Sequence, residues 1–211
     1  MDRLLIDGRL RKLLEHGDED LARECREGGC ELCGGVLHSA RYKRKPRGPD
    51  WVAGWDRRYS FCCATEGCRK RHTPASLRFL GRRVYVGVVV VLMAAMVHGL
   101  APQRVERLRQ VLGIDEKTLE RWRSWWLETF VQSGFWKGAK GWLKEPADEG
   151  RIPLSLVEAF EAETPEGMVN LLKFLVPITV PGRKVNVTPP SMDQPEMSIS
   201  VVSALLSRMY S

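Results

Sequence analysis

Cysteine is missing from most of this chain. All six cysteines lie between Cys25 and Cys68, and none falls in the 143 residues that follow. The opening stretch, Met1 to Arg9, carries charges and has no apolar run of signal-peptide length. A secreted disulfide scaffold is therefore disfavoured. Clustered cysteines without an export signal point to thiolate–metal chemistry in a reducing compartment, and a cytoplasmic protein is expected. Histidines are few: His16, His38, His72 and His98 stand in unrelated contexts. No Ser-centred elbow, phosphate loop or metal-hydrolase motif is present, so an enzyme is the least favoured class. Long apolar runs are scarce too. The longest, Val84–Val97, has 14 uncharged residues, short of the roughly 20 a bilayer requires. It is expected to be a buried helix, and no membrane association is expected. There is no internal repeat.

Acidic residues are nearly absent from one region. Residues 36–83 hold 13 bases and 3 acids. Residues 1–35 are net −3, residues 84–144 net +4 and residues 145–211 net −4, which makes the whole chain +7. A basic middle between acidic ends suits a polyanion, and nucleic acid is the leading partner class. The 211 residues, 44% apolar and 28% charged, allow one generous domain or two to three small ones.

Periodicity divides the chain. Residues 1–29 read as an N-terminal helical segment with two helices, 3–16 and 18–27, the second capped by Asp18. Residues 30–83 show no sustained helical period and read as a small β-rich, loop-rich unit. Residues 84–150 read as a helix-turn-helix domain with helices near 84–98, 102–111 and 115–131, followed by a connection over 134–150. Helices near 153–162 and 165–176 follow, the latter opened by Thr164-Pro165-Glu166. Five prolines within 177–197 exclude a packed helix there, and 177–211 reads as a Pro-rich tail. The expected class is α+β, mainly α: a small zinc-ribbon-like β unit, then helical domains.

The sharpest motif is Cys30-Glu-Leu-Cys33-Gly34-Gly35, answered by Phe61-Cys62-Cys63-Ala-Thr-Glu-Gly67-Cys68. Two cysteines separated by two residues and followed by glycine form a zinc knuckle, because the small residue lets backbone amides turn toward the sulfurs. Phe61 and Cys63 share a strand face by period-two alternation, so Cys63 is preferred over Cys62 as a ligand. The expected set is Cys30, Cys33, Cys63 and Cys68 around a structural zinc ion, with Cys62 or His72 as alternatives to Cys63. Four protein ligands leave no open position for a reactive water. Cys25 is expected to be a small core residue.

Between the two knuckles runs Arg41-Tyr-Lys-Arg-Lys-Pro-Arg47. Arg41, Lys43, Arg44, Lys45 and Arg47, with Arg57, Arg58, Arg69, Lys70 and Arg71, are candidate phosphate contacts. Farther on, Pro102 to Trp122 has helix-turn-helix character. Val105, Leu108 and Leu112 make one face, Gly113 the turn and Ile114 the corner, while Leu119 and Trp122 face inward. Glu116, Lys117, Glu120, Arg121 and Ser124 then face outward, and Lys117, Arg121 and Ser124 are candidate base-reading residues. Trp122, Trp125, Trp126, Phe130, Phe135 and Trp136 are expected to build the core.

The knuckle, Cys68-Arg-Lys-Arg-His-Thr-Pro74, Ser76 to Tyr85 and Thr118 to Trp126 together resemble the N-terminal DNA-binding regions of bacterial transposases. Small accessory proteins encoded by insertion elements are similar. The resemblance covers about 30–131. It implies recognition of element DNA without cleavage, because the three acidic residues of a transposase sit on a separate ribonuclease-H-like domain, and nothing after 131 offers that domain's alternating strands. The expected partners are DNA and, through the acidic C-terminal helices, a protein. The alternative is an adaptor that docks a larger enzyme through its helical half.

Overall fold

The computed structural model describes residues 7–40, 42–43, 57–79, 106, 110, 114 and 116–179. The expected helices at 84–98 and 102–111, the loop residues Arg41, Arg44, Lys45 and Arg47, and the tail beyond 179 lie outside these residues, apart from Glu106 and Gln110.

One helix, α1 (Gly8–Glu27), replaces the two expected at the N-terminus. Its cap is Asp7, whose carboxylate accepts from the Arg9 and Leu10 amides at 2.8 Å each. Asp18 does not start a second helix, because its carboxylate is already committed. It lies buried in the middle of α1 and accepts from the Leu77 amide (2.6 Å), the Ser76 hydroxyl (2.8 Å) and Arg78 Nε (2.7 Å). The preceding Gly17 makes that docking possible, since a Cβ there would collide with Leu77 Cδ1. Interior glycine costs a helix about 1 kcal/mol, here offset by this close packing.

Among the described residues the β-rich unit holds five short strands: β1 (Leu37–Ser39), β2 (Tyr42–Lys43), β3 (Arg57–Arg58), β4 (Phe61–Cys63) and β5 (Arg71–His72). They form an antiparallel three-stranded sheet in the order β1-β4-β5 and a separate β2–β3 pair whose register sets Lys43 opposite Arg57. Its small core is Ala22, Cys30, Leu37, Phe61 and Cys63, with Cys25, Tyr59 and Cys68 packed against it. Cys25 is thus half-buried beside this core rather than inside the larger one.

The described residues from 116 to 179 are mostly helical. α2 (Glu116–Ser124) widens into a π-helical stretch, Trp125–Phe130. α3 (Gly134–Ala139) forms where a connection is expected: Ser133 caps it by accepting from the Trp136 amide at 3.1 Å, and Phe135, Trp136 and Ala139 are buried. Burial and the cap outweigh the flanking glycines. α4 (Leu154–Ala159) and α5 (Pro165–Leu175) follow. The Thr164 hydroxyl caps α5 by accepting from the Gly167 amide at 3.1 Å, with Pro165 in the first turn, as the sequence predicts.

The large core joins Leu10, Leu14 and Leu21 of α1 to Trp126, Phe130, Phe135, Trp136 and the buried face of α5. Trp126 and Phe130 meet edge to face at 4.9 Å, and Phe135 meets Phe174 at 5.3 Å. Helix α1 therefore belongs to both cores: Leu10, Leu14 and Leu21 enter the large one and Ala22 the small one. The Pro-rich segment starts docked, not free. Val176–Thr179 is a buried 3-10 turn in which the Thr179 hydroxyl accepts from the Ser76 amide at 3.2 Å.

Candidate metal centre

Two turns bring four thiols together. In the first, Gly34 N–H donates to the Cys30 carbonyl (2.7 Å) and Cys30 N–H to the Gly35 carbonyl (2.9 Å), with Gly34 at φ +67°. In the second, β4 ends at Cys63, and Thr65 to Gly67 turn back so that Cys68 N–H donates to the Thr65 carbonyl at 3.2 Å. That turn accommodates the long spacing between Cys63 and Cys68. The Sγ atoms of Cys30, Cys33, Cys63 and Cys68 all lie within 4.8 Å of one another, and none of the six cysteines is in a disulfide.

Cys33 stands 3.4 Å from Cys63, and Cys30 stands 3.7 Å from Cys68. A tetrahedral ion with metal–sulfur bonds near 2.3 Å needs sulfurs about 3.8 Å apart, so the donor set fits such an ion. Gly35 closes the cradle. A Cβ there would strike the Thr65 hydroxyl and stand 3.1 and 3.2 Å from the Cys63 and Cys33 sulfurs. The alternation argument for Cys63 agrees with this geometry: Phe61 and Cys63 are buried, whereas the Cys62 thiol turns away and donates to the Arg69 carbonyl at 3.4 Å.

The thiols do not ionise alike. The Gly35 amide, the Thr65 hydroxyl and the neighbouring thiols Cys63 and Cys68 hold Cys33 down at about 6. The Lys70 amide pulls Cys68 down, but the contact with Cys33, burial and the other two thiols outweigh it, and Cys68 is pushed up to about 12. One thiolate forms readily and discourages the others until a cation arrives. His72 is no member of the thiol cluster. It lies buried with Nε2 3.3 Å from Cys30 Sγ, and burial together with the Lys70 charge lowers its pKa. A neutral imidazole there can donate N–H to a Cys30 thiolate, a second-layer contact that cysteine spacing does not reveal.

The candidate phosphate contacts divide. Arg69, Lys70 and Arg71 are exposed. Arg58 is not: it is 6% exposed, and its guanidinium donates to the Pro74 and Thr179 carbonyls at 3.3 Å each. It ties the β-rich unit to the end of the helical half, so its expected place on the outer surface is corrected. Burial of an arginine is invisible to charge counting, because its partners lie 16 and 121 residues away in sequence.

On α2, Glu116, Lys117, Glu120, Arg121 and Ser124 are exposed while Ile114 and Leu119 are buried, as the helical pattern predicts. Arg121 folds back, donating to the Lys117 carbonyl (3.2 Å) and the Thr118 hydroxyl (2.7 Å). No described helix is long and apolar enough to cross a membrane. No family model matches the chain, and no curated protein and no solved structure matches it significantly.

Proposed function

We propose that this chain is a zinc-stabilised DNA-binding protein, an accessory or regulatory protein of a bacterial mobile element. Zinc occupies the Cys30, Cys33, Cys63 and Cys68 site and holds the small unit as a zinc ribbon. The basic ribbon grips phosphates, and α2, the second helix of a helix-turn-helix, reads bases through Lys117, Arg121 and Ser124. The observation that carries this reading is the four-thiol cluster with three exposed cations, Arg69, Lys70 and Arg71, directly after its last cysteine. Zinc suits the site because four soft thiolates at tetrahedral spacing are its structural donor set.

A second reading has its own support. Leu32 and Val36, on the first knuckle, are 70% and 67% exposed, the large apolar side chains most open to solvent among the described residues. They favour an adaptor that meets a protein partner through the knuckle, rather than through the helical half expected from the sequence. Binding of the zinc-loaded chain to a random-sequence duplex library across a salt series separates the two. Steep salt dependence with an enriched sequence supports base reading, and salt-dependent binding without one leaves a nonspecific grip. Absence of binding at low salt moves the assignment to the adaptor.

A further inference from the structure

The ribbon has a face that metal ligation does not use. Strand register lays three rungs across the sheet: Leu37 opposite Cys63; Ser39, Phe61 and His72 in line; and between these His38, Cys62 and Arg71. Successive residues of a strand point to opposite faces. Leu37, Phe61, Cys63 and His72 are buried, whereas His38 and Arg71 are exposed and Cys62 is half-buried. The middle rung therefore stands on the side away from the thiol cluster, with β1 and β5 as the two outer strands.

Cations adjoin this rung: the Cys62 thiol donates to the Arg69 carbonyl at 3.4 Å, and the chain runs on through Lys70 into Arg71. Arg58 and Arg78 are turned inward, each hydrogen-bonded in the protein. Arg69 and Lys70 are exposed and lead directly into Arg71, and the second knuckle contributes one exposed carboxylate, Glu66. Among the described residues of the unit, two arginines are thus buried and three consecutive cations are exposed. Arginine and lysine supply charge to a phosphate run, and an imidazole across the sheet supplies a further N–H donor.

We infer that the His38–Cys62–Arg71 rung, with Arg69 and Lys70, is where the ribbon holds the phosphate backbone of duplex DNA, His38 being a contact that charge counting misses. The inference rests on the DNA-binding reading above and adds the location and the residue. A competing role exists for the same cations: a zinc ion with four thiolates carries a formal charge of about −2, which nearby cations would balance.

The test uses the full zinc-loaded chain and a short random-sequence duplex over a sodium chloride series. Lys70→Ala with Arg71→Ala should flatten the log–log salt dependence by about two, with zinc content and melting temperature unchanged. His38→Ala should weaken binding about three- to tenfold. In a Cys25→Ser chain, the duplex should slow alkylation of Cys62 by iodoacetamide. Wild-type salt dependence in the double variant, or unprotected Cys62, overturns the location while leaving DNA binding itself intact. Loss of zinc instead of a changed salt slope assigns the cations to the metal centre and also overturns it. A wild-type chain that binds no duplex at low salt overturns this inference and the broader reading together.

Discussion

Two cores of unequal size hold the described residues, and α1 lends residues to both. Among the described residues the helical core buries 24 apolar side chains, including Trp126, Phe130, Phe135 and Trp136, whereas the core of the cysteine unit buries five, two of them cysteines. Area alone supports the first, since a fully buried large apolar side chain contributes about 1.5–3 kcal/mol. The second has too little apolar surface to offset the entropy of ordering its turns, and five short strands add few ladder bonds. What the cysteine unit lacks in apolar area it makes up in donor atoms. The comparison teaches that a metal on the four thiols, as proposed, would serve the cysteine unit as its core in the energetic sense, whereas the helical half needs no such support.

The largest expected effect tests that division directly. On the proposed zinc reading, Cys63→Ser should abolish stoichiometric zinc binding and melt the cysteine unit, because structural zinc contributes on the order of 10 kcal/mol to folding of such units. The helical half should keep its far-ultraviolet signal and its resistance to trypsin. Joint collapse of both halves would break the comparison. Conversely, Trp126→Ala should cost about 3–5 kcal/mol in denaturant unfolding of the helical half. Zinc content, measured by atomic emission, should stay at one per chain.

Asp18→Ala probes the link between the halves. It removes the partner of buried Arg78 and unseats Ser76 and Leu77, and a loss of about 3–5 kcal/mol is expected. A loss under 1 kcal/mol would mean that α1 and the 76–79 segment dock through packing alone. His72→Ala should lower zinc affinity about 10–100-fold in chelator competition by removing the contact to Cys30, with the helical melting transition unmoved.

The smallest effect concerns Glu149. Its carboxylate accepts from Trp136 Nε1 (2.9 Å) and from Lys140 (3.0 Å), and these hydrogen bonds, Trp136 first, hold its pKa below the ordinary 4.5. A depressed carboxylate stabilises the fold fully above its unfolded pKa and loses that contribution as pH falls through the folded value. Glu149→Gln should therefore slightly lower stability at neutral pH and converge with the parent chain as pH falls below about 4.5, flattening the acid limb, as thermal melts across pH would report.

Much of the site was legible before any fold was known, and for local reasons. Two residues between cysteines, a glycine after them and a period-two strand determine which sulfurs converge, so Cys30, Cys33, Cys63 and Cys68 followed from spacing and alternation. The caps at Thr164 and the inward aromatic residues around Trp126 were legible for the same reason: helix ends and helix faces are short-range properties. Position along the chain also misled. Asp18 is a good helix cap by type, and Arg58 a good phosphate ligand by type, yet each is claimed by groups far away in sequence.

By itself, then, the sequence determined the mainly helical α+β character, the four-thiol set and the basic middle, because these depend on residue type at short spacing. Only the tertiary structure decided that α1 runs unbroken, that residues 134–139 coil into a helix and that Arg58 turns inward. It alone set His72 against Cys30 and His38 in line with Arg71. Those outcomes depend on which distant group reaches a buried donor or acceptor first, and an unmet polar group inside a protein costs too much for local preference to prevail.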